Sequence, residues 1–316
     1  MDQSLLSSRA IMGMYFARLE ADKSGLWLPG VSNLFSSDQA SETYAFLGQS
    51  PAMREWIGGR QAKGFNGNGV TILNRHYEAT LEISVRDARR DKTPQIQARV
   101  QDFADRGQTH WGSLLSDLIL AGDSTACYDG QYFFDTDHLE GDSGTQSNKI
   151  TVTISGLPVV TGGTTTAPSM ETMQQAILRG IAAILAFKDD RGEPMNEGAS
   201  AFSVMVPASL YPAALAAVST MNNAALPNNF NPNLLGQFNV GVQMNTRLTW
   251  TTKFAVFRTD SPIKALIRQT EQDTELKAKA EGSEFEFDND AWQFGIDAWR
   301  GVGYGYWQRA CQVTLA

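Results

Sequence analysis

The feature that most constrains this chain is a strict alternation of apolar and polar residues behind a cluster of glycine and asparagine. The apolar positions of the alternation are Tyr77, Ala79, Leu81, Ile83 and Val85. A period of two is typical of a half-buried β-strand, and the cluster at 64–69 predicts a turn because Gly and Asn tolerate positive φ. Residues 56–86 therefore predict a long β-hairpin. Because an isolated hairpin is marginally stable at best, it needs a second surface, in its own chain or on a neighbour.

A long amphipathic helix is predicted after the hairpin. Thr93 is a candidate N-cap, Pro94 suits the first helical position, and Gly122 is a candidate left-handed residue at the C-terminal end. The apolar residues at helical spacing are Ile96, Val100, Phe103, Trp111, Leu114, Leu115, Leu118 and Ile119. About 28 residues correspond to a rod of roughly 40 Å, which we interpret as a structural spine.

The remaining chain mixes helical and strand patterns. Helices are predicted from residue 5 to near Gly25, over 170–188, from Ser209 to Ser219 and, as a polar piece, over 270–281. Strands are predicted over 150–154, 202–206, 237–244, 247–258, 263–268 and within 284–315, with an Asn-rich loop at 221–233. The glycine run Gly301–Gly305 predicts a bent or bulged strand. Strands scattered in this way indicate an α+β fold rather than a regular βαβ alternation.

Composition excludes several function classes. The chain has 316 residues, 42% of them hydrophobic, which suffices for one large domain or about two domains. A net charge of −8 argues against a surface that grips nucleic acid through its phosphates. No apolar run approaches the roughly 18–20 residues that span a bilayer, and the first residues carry no secretory pattern. Two cysteines, Cys127 and Cys311, fit a reducing compartment, so we expect an intracellular, soluble protein.

Candidate chemical sites are few. Asp135, Asp137 and His138 could ligate a divalent ion, but a polar turn that closes a strand explains them as well. Cys127 has no nearby histidine or second cysteine and is expected to be a buried thiol. The basic residues Arg86, Arg89, Arg90 and Lys92 alternate with acids, which is typical of a solvated strand end. We therefore expect no catalytic site, no metal and no cofactor.

Several runs of residues resemble one family. They are Tyr44–Gly48, Arg54–Arg60, Tyr77–Thr80, Arg86–Asp91, and Cys127–Gln131 followed by Phe133–Asp135. In their order, these runs are similar to the major head protein of Mu-type tailed phages, which has the HK-97-like capsid fold. The resemblance is strong over 44–138 and weaker beyond, where the helix before Lys188 and the pair Val206–Pro207 carry it.

The resemblance implies a division of the chain. Residues 1–43 would be an N-terminal arm, 44–92 an E-loop region with the long hairpin, and 93–149 a peripheral domain with the spine helix. Residues 150–259 would be an axial domain, and 260–316 would return as strands of the peripheral domain. Candidate contacts between subunits are Trp27, Leu28, Lys63, Gly64, Phe65, Asn66, Gly67 and Asn68. Candidates for the capsomer centre are Asn228, Asn229, Asn231 and Pro232.

The implied function is structural. The chain would assemble with itself into hexamers and pentamers of an icosahedral head that encloses double-stranded DNA without sequence-specific binding. A separate scaffold protein, a portal and a decoration protein are the implied partners, with assembly in the host cytoplasm. A lysine–asparagine crosslink through Lys63 is not expected, since a shared fold does not carry its chemistry along. The alternatives are an encapsulin-like shell and a metal-dependent enzyme that uses Asp135, Asp137 and His138.

Overall fold

The computed structural model describes residues 7–21, 25–44, 69–90, 95–157, 162–222 and 238–316. The helices are α1 (Ser8–Ala21), α2 (Leu28–Val31), α3 (Val85–Arg90), α4 (Gln95–Leu120), α5 (Met170–Ala186), α6 (Tyr211–Asn222) and α7 (Glu284–Asn289). The strands are β1 (Ser32–Ser36), β2 (Ser41–Tyr44), β3 (Val70–Leu73), β4 (Arg75–Ser84), β5 (Lys149–Val152), β6 (Ala201–Val206), β7 (Asn239–Met244), β8 (Lys253–Arg258), β9 (Leu266–Lys279), β10 (Ala291–Tyr304) and β11 (Ala310–Leu315). This mixture confirms the predicted α+β class.

The larger core is built on a five-stranded sheet of order β5-β11-β8-β6-β7. Its strands β6 and β8 are almost continuously buried, as expected for strands covered on both faces. Helix α5 packs closely against β8 of this sheet. A Cβ on its Gly180 would lie only 2.9 Å from Val256 Cγ2, so a glycine is needed at this position. Strand β11, which the sequence assigned to the returning strands of the peripheral domain, pairs with β5 and β8 of this sheet. The domain boundaries stay a prediction.

A second core lies under a four-stranded sheet of order β1-β9-β10-β4. Helices α1 and α4 contribute Ile11, Tyr15, Val100 and Phe103, and β10 contributes Trp292 to its buried centre. The alternating strand predicted from the sequence is present as β4, and it pairs antiparallel with β10 over its whole length. The second surface that this strand requires is therefore supplied by its own chain.

Helix α4 connects the two cores. Its 26 residues confirm the predicted spine, with Val100 and Phe103 in the second core and Leu115 and Ile119 in the larger one. The predicted N-terminal signals Thr93 and Pro94 lie outside the described residues. The left-handed role predicted for Gly122 is wrong, because this residue lies in the 3-10 turn Ala121–Asp123 without a positive φ. Glycine is required there because a Cβ would lie 2.6 Å from a ring carbon of Phe134.

The helix predicted over 270–281 is wrong, because most of this segment belongs to strand β9. Glu, Lys, Gln and Ala give the segment a good helix propensity, but propensity is a weak prior that tertiary pairing overrides. From Thr270 to Leu276 the burial alternates with a period of two, and β9 pairs antiparallel with β10 over this part. A cross-strand bond of 3.0 Å from Lys277 Nζ to Asp297 Oδ2 supports the same pairing.

Two further expectations are corrected at the ends of strands. Strand β4 ends at Ser84 instead of Arg86, and the basic residues Arg86, Arg89 and Arg90 lie on the short helix α3. Helix α7 begins at Glu284 with a Ser283 cap, where the sequence predicts strand. In both places a short helix at the same end of the four-stranded sheet stands where the sequence predicted strand.

Candidate assembly surfaces and the buried Cys127 cluster

The hairpin predicted over 56–86 is not confirmed, because residues 70–73 pair with 41–44, β4 pairs with β10, and residues 45–68 lie outside the described residues. The pair β2–β3, which flanks residues 45–69, is called the hairpin root below. Strands β2 and β3 run antiparallel with Ser41 opposite Leu73 and Tyr44 opposite Val70. The chain therefore leaves at Tyr44 and returns at Val70 in adjacent strands. Residues 41–43, which the sequence assigned to the N-terminal arm, lie in β2 of this root. The proposed contact residues of the hairpin, Lys63, Gly64, Phe65, Asn66, Gly67 and Asn68, lie outside the described residues.

Buried hydrogen bonds fix this root to the four-stranded sheet. The Tyr44 hydroxyl donates to Gln269 Oε1 at 2.8 Å, and Gln269 Nε2 donates to Asn74 Oδ1 at 2.8 Å. Gln269 is fully buried. Burial, with a smaller contribution from the charge of Glu42, raises the pKa of Tyr44 to about 12. The hydroxyl therefore remains a hydrogen-bond donor throughout the neutral pH range.

The glycine run near the C-terminal end of β10 gives the root its close contact. A Cβ on Gly301 would lie 2.5 Å from the carbonyl oxygen of Leu73, and one on Gly303 would lie 2.5 Å from Ile72 Cδ1. The glycines therefore leave room for β3 to approach β10. They do not form a bulge, because the register shifts of β10 lie between Asp297 and Arg300, before the run. The prediction of a bent or bulged strand at Gly301–Gly305 is corrected accordingly.

The N-terminal arm is packed on its own chain. Ile11 and Tyr15 of α1 are buried in the second core, and Arg18 donates two bonds to Asp105 of α4, at 2.6 Å and 2.9 Å. Of the proposed contact residues, Leu28 is buried in the larger core and Trp27 packs against it. Leu26, which directly precedes them, is exposed. A role for Trp27 and Leu28 between subunits stays a prediction.

The proposed capsomer-centre residues Asn228, Asn229, Asn231 and Pro232 lie outside the described residues. The elements on either side are well anchored: α6 buries Ala214 and Ala217, and β7 buries Val240 in the larger core. Strand β7 is the edge of the five-stranded sheet. The segment between α6 and β7 is therefore followed by an edge strand of the sheet that carries most of the buried apolar residues.

The predicted trio of metal ligands is not brought together. The Asp135 carboxylate accepts bonds from the backbone N–H of Thr136 and Tyr132, which is a turn. Asp137 is exposed. His138 is buried and directs Nδ1 at Asp129 Oδ2, 2.6 Å away. Although Asp135 and His138 are close in sequence, their side chains therefore bind different partners.

His138 instead belongs to a buried cluster with Cys127 and Asp129. The Cys127 thiol donates to Asp129 Oδ1 at 2.9 Å, and the His138 ring stacks on Trp307 with centroids 4.0 Å apart. Burial, with the charge of Asp129, raises the pKa of Cys127, so the thiol stays protonated. Burial also acts to raise the pKa of Asp129, but the bonds from His138 and Cys127 outweigh it, and that pKa lies below its ordinary value.

The geometry of this cluster fits hydrogen bonding better than metal ligation. Its three candidate ligand atoms lie within 4.8 Å of one another. Zinc bonds of about 2.0–2.3 Å in a tetrahedron would hold ligand atoms roughly 3.3 Å or more apart, yet Asp129 lies 2.6 Å from His138 and 2.9 Å from Cys127. Protonation of the thiol also removes its nucleophilic form. The cluster closes the loop between α4 and β5.

A second buried network supports the same loop. The Glu140 carboxylate accepts bonds from Tyr128 Oη, from Trp307 Nε1 at 3.0 Å and from Gln308 Nε2 at 2.9 Å. Burial raises the pKa of Glu140 despite these three donors. Sequence reasoning missed both networks. The turn that brings Cys127, Asp129 and His138 together lies at Gly130, which has a positive φ, and residue spacing does not mark it.

The fold and these segments match one protein family. A family model described as the Mu-like prophage major head subunit gpT matches residues 11–158 and 228–315, which is more than half of the chain. The chain belongs to this family. The first matched range includes most of α1, the hairpin root, α4 and the Cys127 cluster, and the second runs from within the predicted Asn-rich loop to β11.

Two curated relatives agree. The chain is 36% identical over 111 residues to the Mu-like prophage FluMu major head subunit of Haemophilus influenzae. It is 33% identical over 109 residues to the major capsid protein of Escherichia phage Mu. The alignments cover 35% and 34% of this chain, and they span 36% and 35% of the length of those relatives.

Solved structures extend the likeness to the whole fold. The procapsid protein of bacteriophage JBD30 gives a TM-score of 0.53 at 22% identity, covering 97% of this chain and 74% of that chain. A virus-like particle from Pyrococcus furiosus gives 0.55 at 9% identity, covering 96% and 98%. The capsid of cyanophage P-SCSP1u gives 0.54 at 11% identity, covering 91% and 86%. The HK-97-like capsid fold predicted from the sequence is confirmed.

Among the described residues, no helix is both long enough and apolar enough to cross a bilayer.

Proposed function

We propose that this chain is a major capsid subunit that assembles with copies of itself, as hexamers and pentamers, into a phage head that encloses double-stranded DNA. The observation that carries the proposal is the hairpin root. A 25-residue excursion between β2 and β3 begins and ends in strands that buried hydrogen bonds hold to the sheet. A rigid base under a long excursion suits contact with a neighbouring subunit.

Family membership supports the same proposal, because the matched model describes a major head subunit. The chain would be a component of the virion and would act without catalysis, since neither buried network offers an activated nucleophile or an open ligand position. A net charge of −8 suits a container that holds DNA without gripping it. A scaffold protein, a portal and a decoration protein are the proposed partners, and the host cytoplasm is the proposed place of assembly.

The alternatives are weaker. The encapsulin-like shell shares the fold, but the family match is to a phage head subunit. The metal-dependent enzyme required Asp135, Asp137 and His138 to converge, and Asp135 instead serves a turn while His138 is bonded to Asp129. Neither alternative has a specific observation in its favour.

Negative-stain electron microscopy of the purified protein, alone and co-expressed with its neighbouring phage genes, tests the proposal. We expect shells, tubes or separate hexamers and pentamers. Contents distinguish the two kinds of shell, because a phage head holds DNA and an encapsulin-like shell holds protein cargo. A monodisperse monomer under every condition would contradict the proposal.

A further inference from the structure

The far end of the four-stranded sheet carries an exposed aromatic ring. Helix α7 joins β9 to β10, and its Phe287 has 91% of its surface exposed. The tip is ordered by its own bonds, because Ser283 Oγ accepts the Glu286 N–H at 3.2 Å and Glu286 Oε2 accepts the Gly282 N–H at 2.7 Å. Phe287 is therefore held out into solvent on a structured element without contributing to its stability.

Phe285, the other phenylalanine of this helix, shows which kind of group such a ring binds. The Lys279 ammonium lies 5.7 Å from the centre of the Phe285 ring, which is a cation–π contact. Phe287 lies between Glu286 and Asp288, and no cation of the described ranges is placed over it. An aromatic face beside carboxylates attracts a guanidinium group, which can stack on the ring and form ion pairs with the carboxylates at the same time.

Exposed arginines lie beside this tip on helix α3. Val85 and Ala88 bury one face of α3, which leaves Arg86, Arg89 and Arg90 exposed. The Val85 N–H donates to the carbonyl of Asp290 at 2.9 Å, so α3 and α7 are neighbours. Their one ion pair within the described ranges joins Arg86 to Asp290 at 3.9 Å, and both side chains are mostly exposed. Contacts of this kind contribute little to stability.

We propose that α7 of one copy docks on α3 of a second copy of this chain. Arg89 or Arg90 of one copy would stack on Phe287 of the other, while Glu284 and Asp288 pair with the remaining guanidinium. Charge complementarity selects the occupant, since each copy carries an acidic aromatic patch and an arginine patch side by side. The inference rests on the proposed function, because it places one of the contacts that hold the shell together.

Charge reversal with rescue tests the docking. We expect the Arg89→Glu/Arg90→Glu protein and the Phe287→Ala protein to need about tenfold more subunit for assembly, measured by light scattering and negative-stain microscopy. Adding Glu284→Lys/Asp288→Lys to the double arginine variant restores opposite charges, and assembly should return to within about threefold of the original. Arg179→Glu on α5 and Phe16→Ala on α1 are matched controls, since both side chains are exposed elsewhere.

Photo-crosslinking identifies the occupant. A benzoylphenylalanine at position 287 should crosslink to α3 of a second copy, located by mass spectrometry. The inference is overturned if the crosslinks go to another protein or another surface, or if the arginine variants assemble normally. In those cases the original protein still forms shells and the proposed function stands. If the original protein forms no oligomer at all, both the proposed function and this inference fail.

Discussion

The two cores of this protein differ in how their strands end. In the larger core, the interior strand β6 is buried at every residue after its first. In the second core, β9 begins buried and then alternates until its last three residues are all exposed. We therefore expect the larger core to contribute most to the stability of the single chain, whereas the far end of the second sheet presents surface. Substitutions should separate these two roles.

The largest effect is expected in the larger core. Phe254→Ala removes a fully buried ring from β8 and should lower the free energy of unfolding by about 3–5 kcal/mol. Phe287→Ala, at the exposed tip, should change it by less than about 0.5 kcal/mol. Urea unfolding of the unassembled chain measures both. Similar losses for the two phenylalanines would contradict the division into a stabilising core and a presenting end.

A smaller effect is expected where β10 meets the hairpin root. A Cβ on Gly301 would lie 2.5 Å from a backbone oxygen, which cannot move as a side chain does, so Gly301→Ala should cost about 1–3 kcal/mol. Gly295 is a control in the same strand, because its Cβ would meet Thr80 Oγ1 at 3.6 Å. Hydrogen exchange should accelerate at residues 70–73 in the first variant alone. Equal exchange in both would show that β3 does not depend on this close approach.

The hydrogen bond at the root should contribute less. Tyr44→Phe leaves Gln269 Oε1 buried without its donor, which should cost about 1–2 kcal/mol. Tyr132→Phe is the comparison, since the Tyr132 side chain is largely exposed. Hydrogen exchange at residues 41–44 and 70–73 reports the local loss, and urea unfolding reports the global one. A root that exchanges at the original rate would mean that the apolar contacts of Ile72 suffice to hold it.

The smallest effect is a dependence on acid. The pKa of Asp129 lies below its ordinary value of 3.8, so its contribution to stability is complete above pH 3.8 and declines as the pH falls through the folded pKa. The stability difference between the original protein and Asp129→Asn should therefore narrow as the pH falls below 3.8. A constant difference for Asp129 down to pH 2 would contradict the assigned pairing.

The sequence predicted those elements whose apolar residues repeat with the period of the helix or strand that they form. The apolar spacing of α4 was readable because this helix buries one face. The alternation of β4 was readable because Tyr77, Leu81 and Ile83 are more buried than the polar residues between them. Strand β9 was not readable, since its residues favour a helix and only the pairing with β10 reveals the strand. Alternation and the turn cluster predicted a hairpin over 56–86, but the pairing of Ser41–Tyr44 with Val70–Leu73 was hidden because the two strands are far apart in sequence.

The buried cluster illustrates a different limit. Contiguity in sequence suggested Asp135, Asp137 and His138, while the folded loop joins His138 to Asp129, which is nine residues away. The positive φ of Gly130 makes that reversal, and a single glycine among 28 gives no warning of it. Sites formed by tight loops depend on turns that residue spacing does not encode.

The position of β11 has a consequence for the order of events during synthesis. This strand lies between β5 and β8 in the five-stranded sheet, and every strand of that sheet that it joins is translated before it. Strands β5 and β8 therefore emerge from the ribosome before the strand that pairs with both of them, and the sheet is completed only after β11 has emerged. A nascent chain thus lacks a complete larger core until β11 has left the ribosome, so the stability of this core is gained only at the end of synthesis.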